Sequence, residues 1–117
     1  MKTQTLAEKK CTACEGKEAP LTKSQAAGLI KDITGWRLNE NGKEITKELV
    51  MKNFLAAVDL INKIAKIAET ENHHPDIYLT GYRNLKIVLS THAVGGLTEN
   101  DFILAAKINE LPAELKK

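Results

Sequence analysis

The chain predicts an α+β fold: a four-stranded antiparallel sheet with three helices on one face, in the order α-β-β-α-β-β-α. Two pairs of strand-like runs each enclose a turn signal, Asn41-Gly42 and Gly81-Tyr82-Arg83-Asn84. One long run, residues 53–71, carries apolar residues at helical period. Thr22 with Gln25, and Thr98 with Asp101, stand at capping-box spacing ahead of two further apolar runs. Strands that arrive as hairpins pair antiparallel, and the helices between them are left to cover one face.

Residues 1–20 show neither helical nor strand periodicity and end in Pro20, so they read as a flexible leader ahead of a domain over residues 21–117. The leader holds both cysteines, Cys11 and Cys14, as one Cys-x-x-Cys pair. A structural zinc takes four ligands, and a thioredoxin-type pair sits between a strand and a helix, so a plain loop is expected. A disulfide and a metal clip between subunits are the alternatives. A helix is expected over residues 23–33, stopped by Gly35. Strands follow over 36–40 and 43–51, around a type I′ turn at Asn41-Gly42.

Asn53 is a good N-cap for the second helix, which runs to Glu71. On a helical wheel Phe54, Val58, Ile61, Ala65 and Ala68 form one stripe and Leu60, Ile64 and Ile67 an adjacent one. Together they span about 200°, roughly twice the arc needed to lie on a sheet, which leaves apolar surface for a helix-to-helix subunit contact. Pro75 ends the helix, and strands are expected over 76–80 and 85–91. After Gly95-Gly96 the last helix starts at Thr98 and runs towards Leu111, with Pro112 as its stop.

With 117 residues there is room for one core, and a domain of this size gains stability from a subunit interface, so a homo-dimer or homo-tetramer is expected. The 17 basic and 15 acidic residues are interspersed, with no run of consecutive basic residues longer than a pair. Strong attraction to nucleic acid is therefore not expected. The first ten residues lack the apolar centre of a signal peptide, and no stretch approaches the roughly 18 apolar residues of a membrane span. Together these place the protein in the cytoplasm, with no membrane partner.

All three histidines fall within twenty residues: His73 and His74 at the end of the long helix, and His92 at the end of the fourth strand. Adjacent residues at a helix end diverge, so His73 and His74 can approach different edges of one flat ligand while His92 arrives from the sheet. An imidazole titrates near pH 6.5, so one ring can take a proton while another gives one. Dehydration needs that pairing, because hydroxide leaves poorly until it is protonated. Glu69, four residues before His73, is placed to orient an imidazole.

Glu69, His73-His74-Pro75, Tyr82 seven positions after that proline, His92 ten further on and Asp101 nine beyond it resemble the pterin-4a-carbinolamine dehydratases. Ser90-Thr91 and Gly95 to Phe102 extend the likeness, which covers residues 20–112. The resemblance implies dehydration of 4a-hydroxytetrahydropterin, released by aromatic amino acid hydroxylases, to quinonoid dihydropterin, with no metal or organic cofactor. It makes His73, His74 and His92 the catalytic trio, one removing the N5 proton and another protonating the 4a-hydroxyl; His92 is favoured as the acid, and the division of roles stays open. Glu69, Asn72, Asp76, Ser90 and Thr91 become the substrate-binding set. Asn72 and Asp76 stand where animal members carry aspartate and glutamate, and the stretch 77–81 departs from their pattern. Asp101 has a sufficient role as a helix cap, and Tyr82 and Trp36 as packing aromatics. Two other functions are open: a partner-binding module using the apolar face of the long helix, and a pterin-related role in molybdenum cofactor metabolism.

Overall fold

The computed structural model describes residues 5–11 and 19–117. Helix α1 spans Lys23–Leu29 and tightens into a 3-10 turn, Ile30–Asp32. Its box closes as expected: the Gln25 N–H donates to Thr22 Oγ1 at 3.1 Å and the Thr22 N–H to Gln25 Oε1 at 2.8 Å. Strands β1 (Trp36–Leu38), β2 (Ile45–Val50), β3 (Asp76–Thr80) and β4 (Asn84–Leu89) form one antiparallel sheet in the order β1-β2-β4-β3. Helix α2 (Phe54–Glu71) separates the hairpins and α3 (Glu99–Asn109) follows them. The predicted class and element order hold: β3 matches its expected bounds, β1 and β2 are a residue or two shorter at their ends, and β4 starts one residue early and stops two early.

The register puts Ile45 opposite Leu89, Leu49 opposite Leu85 and Ile77 opposite Ile87. These side chains join Ala57, Leu60 and Ile64 of α2 and Phe102, Leu104 and Ile108 of α3 in a single core. The sheet's other face shows Arg37, Glu48, Tyr78 and Lys86 to solvent. Alternation along each strand therefore decides which face the helices cover. Within α2 the core line is Ala57, Leu60, Ile64 and Ala68, while Phe54 and Leu55 are 53% and 78% exposed. Of the two predicted stripes, the one through Leu60 and Ile64 reaches the core, and most of the Phe54–Ala65 stripe stays at the surface.

The hairpin turns differ from expectation. Between β1 and β2 only Gly42 is left-handed (φ 70°), because the six-residue loop 39–44 is longer than a two-residue turn. Gly42 N–H donates to Asn39 O at 2.8 Å and Asn39 N–H to Glu44 O at 2.9 Å, so a single glycine provides the reversal that a two-residue type I′ turn would demand of both residues. Consecutive left-handed residues occur instead in the second hairpin, at Gly81 (φ 54°) and Tyr82 (φ 57°). A Cβ at Gly81 would meet only the movable amide end of the exposed Asn84 side chain, 2.9 Å away, so it is the left-handed backbone that favours glycine there. Tyr82 is held by Arg83, whose guanidinium lies 5.4 Å from the ring centroid and is itself tied to Met51 O at 2.9 Å and Lys52 O at 2.7 Å.

Both ends of the described chain are docked. Residues 5–11 of the expected leader include a 3-10 turn, Leu6–Glu8, which lies against α3, and Lys107 Nζ donates to Ala7 O at 2.8 Å. The C-terminal tail pairs Leu115 with Met51 beyond the end of β2. Cys14 lies outside the described residues.

Candidate active site

Helix α2 ends where the site begins. Asn72 takes the left-handed conformation (φ 53°), and its N–H donates to Ala68 O and Glu69 O. The His73 N–H returns to Ala68 O at 3.1 Å. Asparagine tolerates this conformation better than most residues, and the reversal swings the following side chains off the helical path. His73 and His74 consequently diverge, as their adjacency implied.

His73 turns inward. Its Nε2 lies 2.7 Å from Asp101 Oδ1, with the ring 11% exposed and the carboxylate fully buried. Asp101 accepts two more bonds, from Thr91 Oγ1 at 2.7 Å and from the Thr98 N–H at 3.0 Å, the latter being its half of the helix cap. A buried carboxylate is tolerable only when its oxygens are paired in this way. With Asp101 ionised, the bond to His73 places a proton on Nε2 and leaves Nδ1 as the acceptor of the neutral ring. The Thr91 hydroxyl gives its proton to Asp101, so in the 2.9 Å contact between Thr91 Oγ1 and Thr98 Oγ1 it is Thr98 that donates.

His74 turns outward to Glu69, with 2.5 Å between Nε2 and Oε2 and side-chain exposures of 55% and 77%. Glu69 was expected beside His73 on helical spacing. The left-handed Asn72 breaks that spacing, and the carboxylate meets the next residue instead.

His92 opens a 3-10 turn, His92–Val94, three residues past the end of β4, where a strand end was expected. It is exposed, and among the described residues its ring has no hydrogen-bond partner. With Ser90, Gly95 and Gly96 it lines a cavity of about 310 Å³ that the loop residues Asn41, Lys43 and Glu44 complete. His73 and His74 are not in that lining. What joins the two regions is Thr91: its hydroxyl shares Asp101 with His73, and its backbone pairs with Gly96, the Thr91 N–H donating to Gly96 O at 2.7 Å. The three rings therefore occupy three settings: one buried on a carboxylate, one exposed on a carboxylate and one facing a cavity.

Among the other expected contacts, Ser90 is half-buried in the cavity wall and Asp76 is the exposed first residue of β3, opposite Val88. Thr91 is buried, and its hydroxyl donates to Asp101. The residue that sequence reasoning undervalued is Asp101. Its place in the histidine pattern marked it, but a helix cap accounts for only one of its three bonds, and its link to His73 spans 28 residues of chain.

The Pterin 4 alpha carbinolamine dehydratase family profile matches residues 19–111. The chain is 46% identical over 112 residues to Pterin-4-alpha-carbinolamine dehydratase 2, mitochondrial, of Arabidopsis thaliana, covering 93% of this chain and 60% of that protein. It thus spans less than two thirds of the plant protein's length. A Dechloromonas aromatica protein, whose name assigns it provisionally to the same dehydratases, is 43% identical over 106 residues, covering 91% of this chain and 92% of its own. A crystal structure described as transcriptional coactivator/pterin dehydratase from Brucella melitensis superposes with a TM-score of 0.71 at 30% identity, over 77% of this chain and 95% of that one. The chain belongs to the pterin 4 alpha carbinolamine dehydratase family.

Proposed function

We propose that the protein is a hydro-lyase that removes water from a 4a-hydroxytetrahydropterin to give the quinonoid dihydropterin. The observation that carries this is the hydrogen-bonded chain from His73 through Asp101 to Thr91, the neighbour of His92, in a member of this family. In the reaction the N5–H proton leaves, its electron pair forms the C4a=N5 bond, the C4a–O bond breaks and the hydroxyl departs with a proton as water. His73 is the base. Its Nδ1 takes the N5 proton while Asp101, fixed by three donors, stabilises the imidazolium that forms.

His92 is the acid that protonates the leaving hydroxyl, and His74, steadied by Glu69, orients the pterin. Ser90, Asn72 and Asp76 supply polar groups around it, and the backbone beside Thr91 holds His92 in place. The proton taken by one imidazole replaces the one given by another, so the cycle is neutral and calls for no metal or organic cofactor. Each acid–base role contributes about 100- to 10,000-fold.

A substrate hydroxylated at C4a must come from an oxygenating enzyme that uses tetrahydropterin, and we propose an aromatic amino acid hydroxylase as that source. We propose a cytoplasmic location, as the composition of the first ten residues leads us to expect; no helix of the described residues is long and apolar enough to cross a membrane. We also propose that it self-associates through the α2 stripe bearing Phe54 and Val58, with exclusion chromatography as the check. The test of function is the decay of carbinolamine absorbance, generated in situ. His73→Ala and His92→Ala should each lose at least about 100-fold of the acceleration and keep a native circular dichroism spectrum. Wild-type decay rates in both variants would overturn the assignment.

A further inference from the structure

Residues 5–11 lie across the two helix ends that carry the site. Leu6 packs against the core, Lys107 Nζ donates to Ala7 O at 2.8 Å, and Lys9 Nζ reaches Glu99 Oε2 at 3.2 Å. The segment then ends on two contacts made by one residue. The Cys11 N–H donates to Glu71 Oε1 at 2.8 Å, and Cys11 Sγ donates to Asn100 O at 3.6 Å. Glu71 closes α2, two residues before His73, and Asn100 immediately precedes Asp101. Cys11 therefore ties the end of one helix to the start of the other, across the pair whose 2.7 Å bond the chemistry uses.

Two features indicate what this contact does. A carboxylate in the last turn of a helix faces the negative end of the helix dipole, so Glu71 does not serve α2 by itself; its gain comes from the N–H of residue 11. The thiol is a donor and not a nucleophile. Burial above all, then the negative charge of Glu71, push it up from an ordinary 9.0 to about 12, and it stays protonated at neutral pH. Helix ends are also the first parts of a helix to open, and His73 sits one residue beyond a left-handed turn at such an end. The family profile match begins at residue 19, whereas the match to the Arabidopsis thaliana relative covers 93% of the chain and so takes in Cys11.

We infer that residues 5–11 form a strap that holds His73 in register with Asp101, with Cys11 and Glu71 as positioning residues; this rests on His73 being the catalytic base. In the full-length protein, Glu71→Ala removes the acceptor, Cys11→Pro removes the donor from outside the sheet and helices, and Glu71→Gln keeps a carbonyl acceptor. A displacement of about 1 Å at a reacting group costs up to about 100-fold, so kcat for carbinolamine dehydration should fall about tenfold in Glu71→Ala and Cys11→Pro, with KM within about twofold. The His73 ring signals in proton–nitrogen spectra should shift in both variants, and Glu71→Gln should restore most of kcat and the signals. Wild-type kcat with unmoved His73 signals in both disrupting variants would overturn the strap. If the unmodified protein failed to speed dehydration, the catalytic assignment would fall, and the ring signals alone would then decide the positioning: shifted signals support it and unmoved ones overturn it.

Discussion

His73 and His74 are neighbours in sequence, each bonded through Nε2 to a carboxylate, yet the two pairs are different objects. His73 meets a fully buried Asp101 that is held by Thr91 and Thr98 as well, whereas His74 meets an exposed Glu69 whose carboxylate has no other hydrogen bond among the described residues. An exposed pair is screened by water and must immobilise two side chains, so it contributes at most about 1 kcal/mol. A buried carboxylate with three donors keeps its geometry and its full field, which is what a base that becomes a cation requires. Identical chemistry at adjacent positions thus acquires separate roles from burial and partner number.

The comparison breaks most visibly if the carboxylates are removed. Asp101→Ala leaves the Thr98 N–H and the Thr91 hydroxyl without their acceptor in the interior and should destabilise the fold by about 3 kcal/mol. Glu69→Ala should change stability by no more than about 0.5 kcal/mol. Urea midpoints of the two variants check both, and equal losses would erase the distinction.

A smaller effect sharpens the buried side. The Cys11 thiol beside the Asp101 end of α3 has a folded pKa raised to about 12 from 9.0. Below pH 9 the thiol is protonated folded and unfolded, and its contribution is complete. Between about pH 9 and 12 the unfolded chain releases the proton first, so stability falls with rising pH. Urea midpoints at alkaline pH should therefore drop further in the wild type than in Cys11→Ala, and parallel curves would show that the thiol does not contribute.

Much of this architecture was legible in the sequence, because caps and periodicity are local. Thr22 with Gln25, Asn53 and Thr98 start the helices that their spacing predicts. The turns were less legible: Asn41-Gly42 carries the composition of a tight hairpin, but loop length decides how many residues must be left-handed, and here it is Gly42 alone. At the site, the histidines stand out by clustering. Their partners do not, because the left-handed Asn72 shifts Glu69 from His73 to His74, and Asp101 reaches His73 only through the packing of α3 against α2. Lys47 is a further case. Strand alternation points it at the helix layer, where its ammonium donates to Asn109 Oδ1 at 2.6 Å and burial lowers its pKa.

The most direct test of the two-pair account is the dehydration rate of Asp101→Asn set beside that of Glu69→Gln, both nearly isosteric exchanges that remove the charge. Each exchange also turns one acceptor oxygen into an amide donor, which at Asp101 faces groups that themselves donate, so the buried exchange should cost about 100-fold in kcat and the exposed one less than about threefold. Equal rates in the two variants, or a larger loss in Glu69→Gln, would contradict the assignment of His73 as the base.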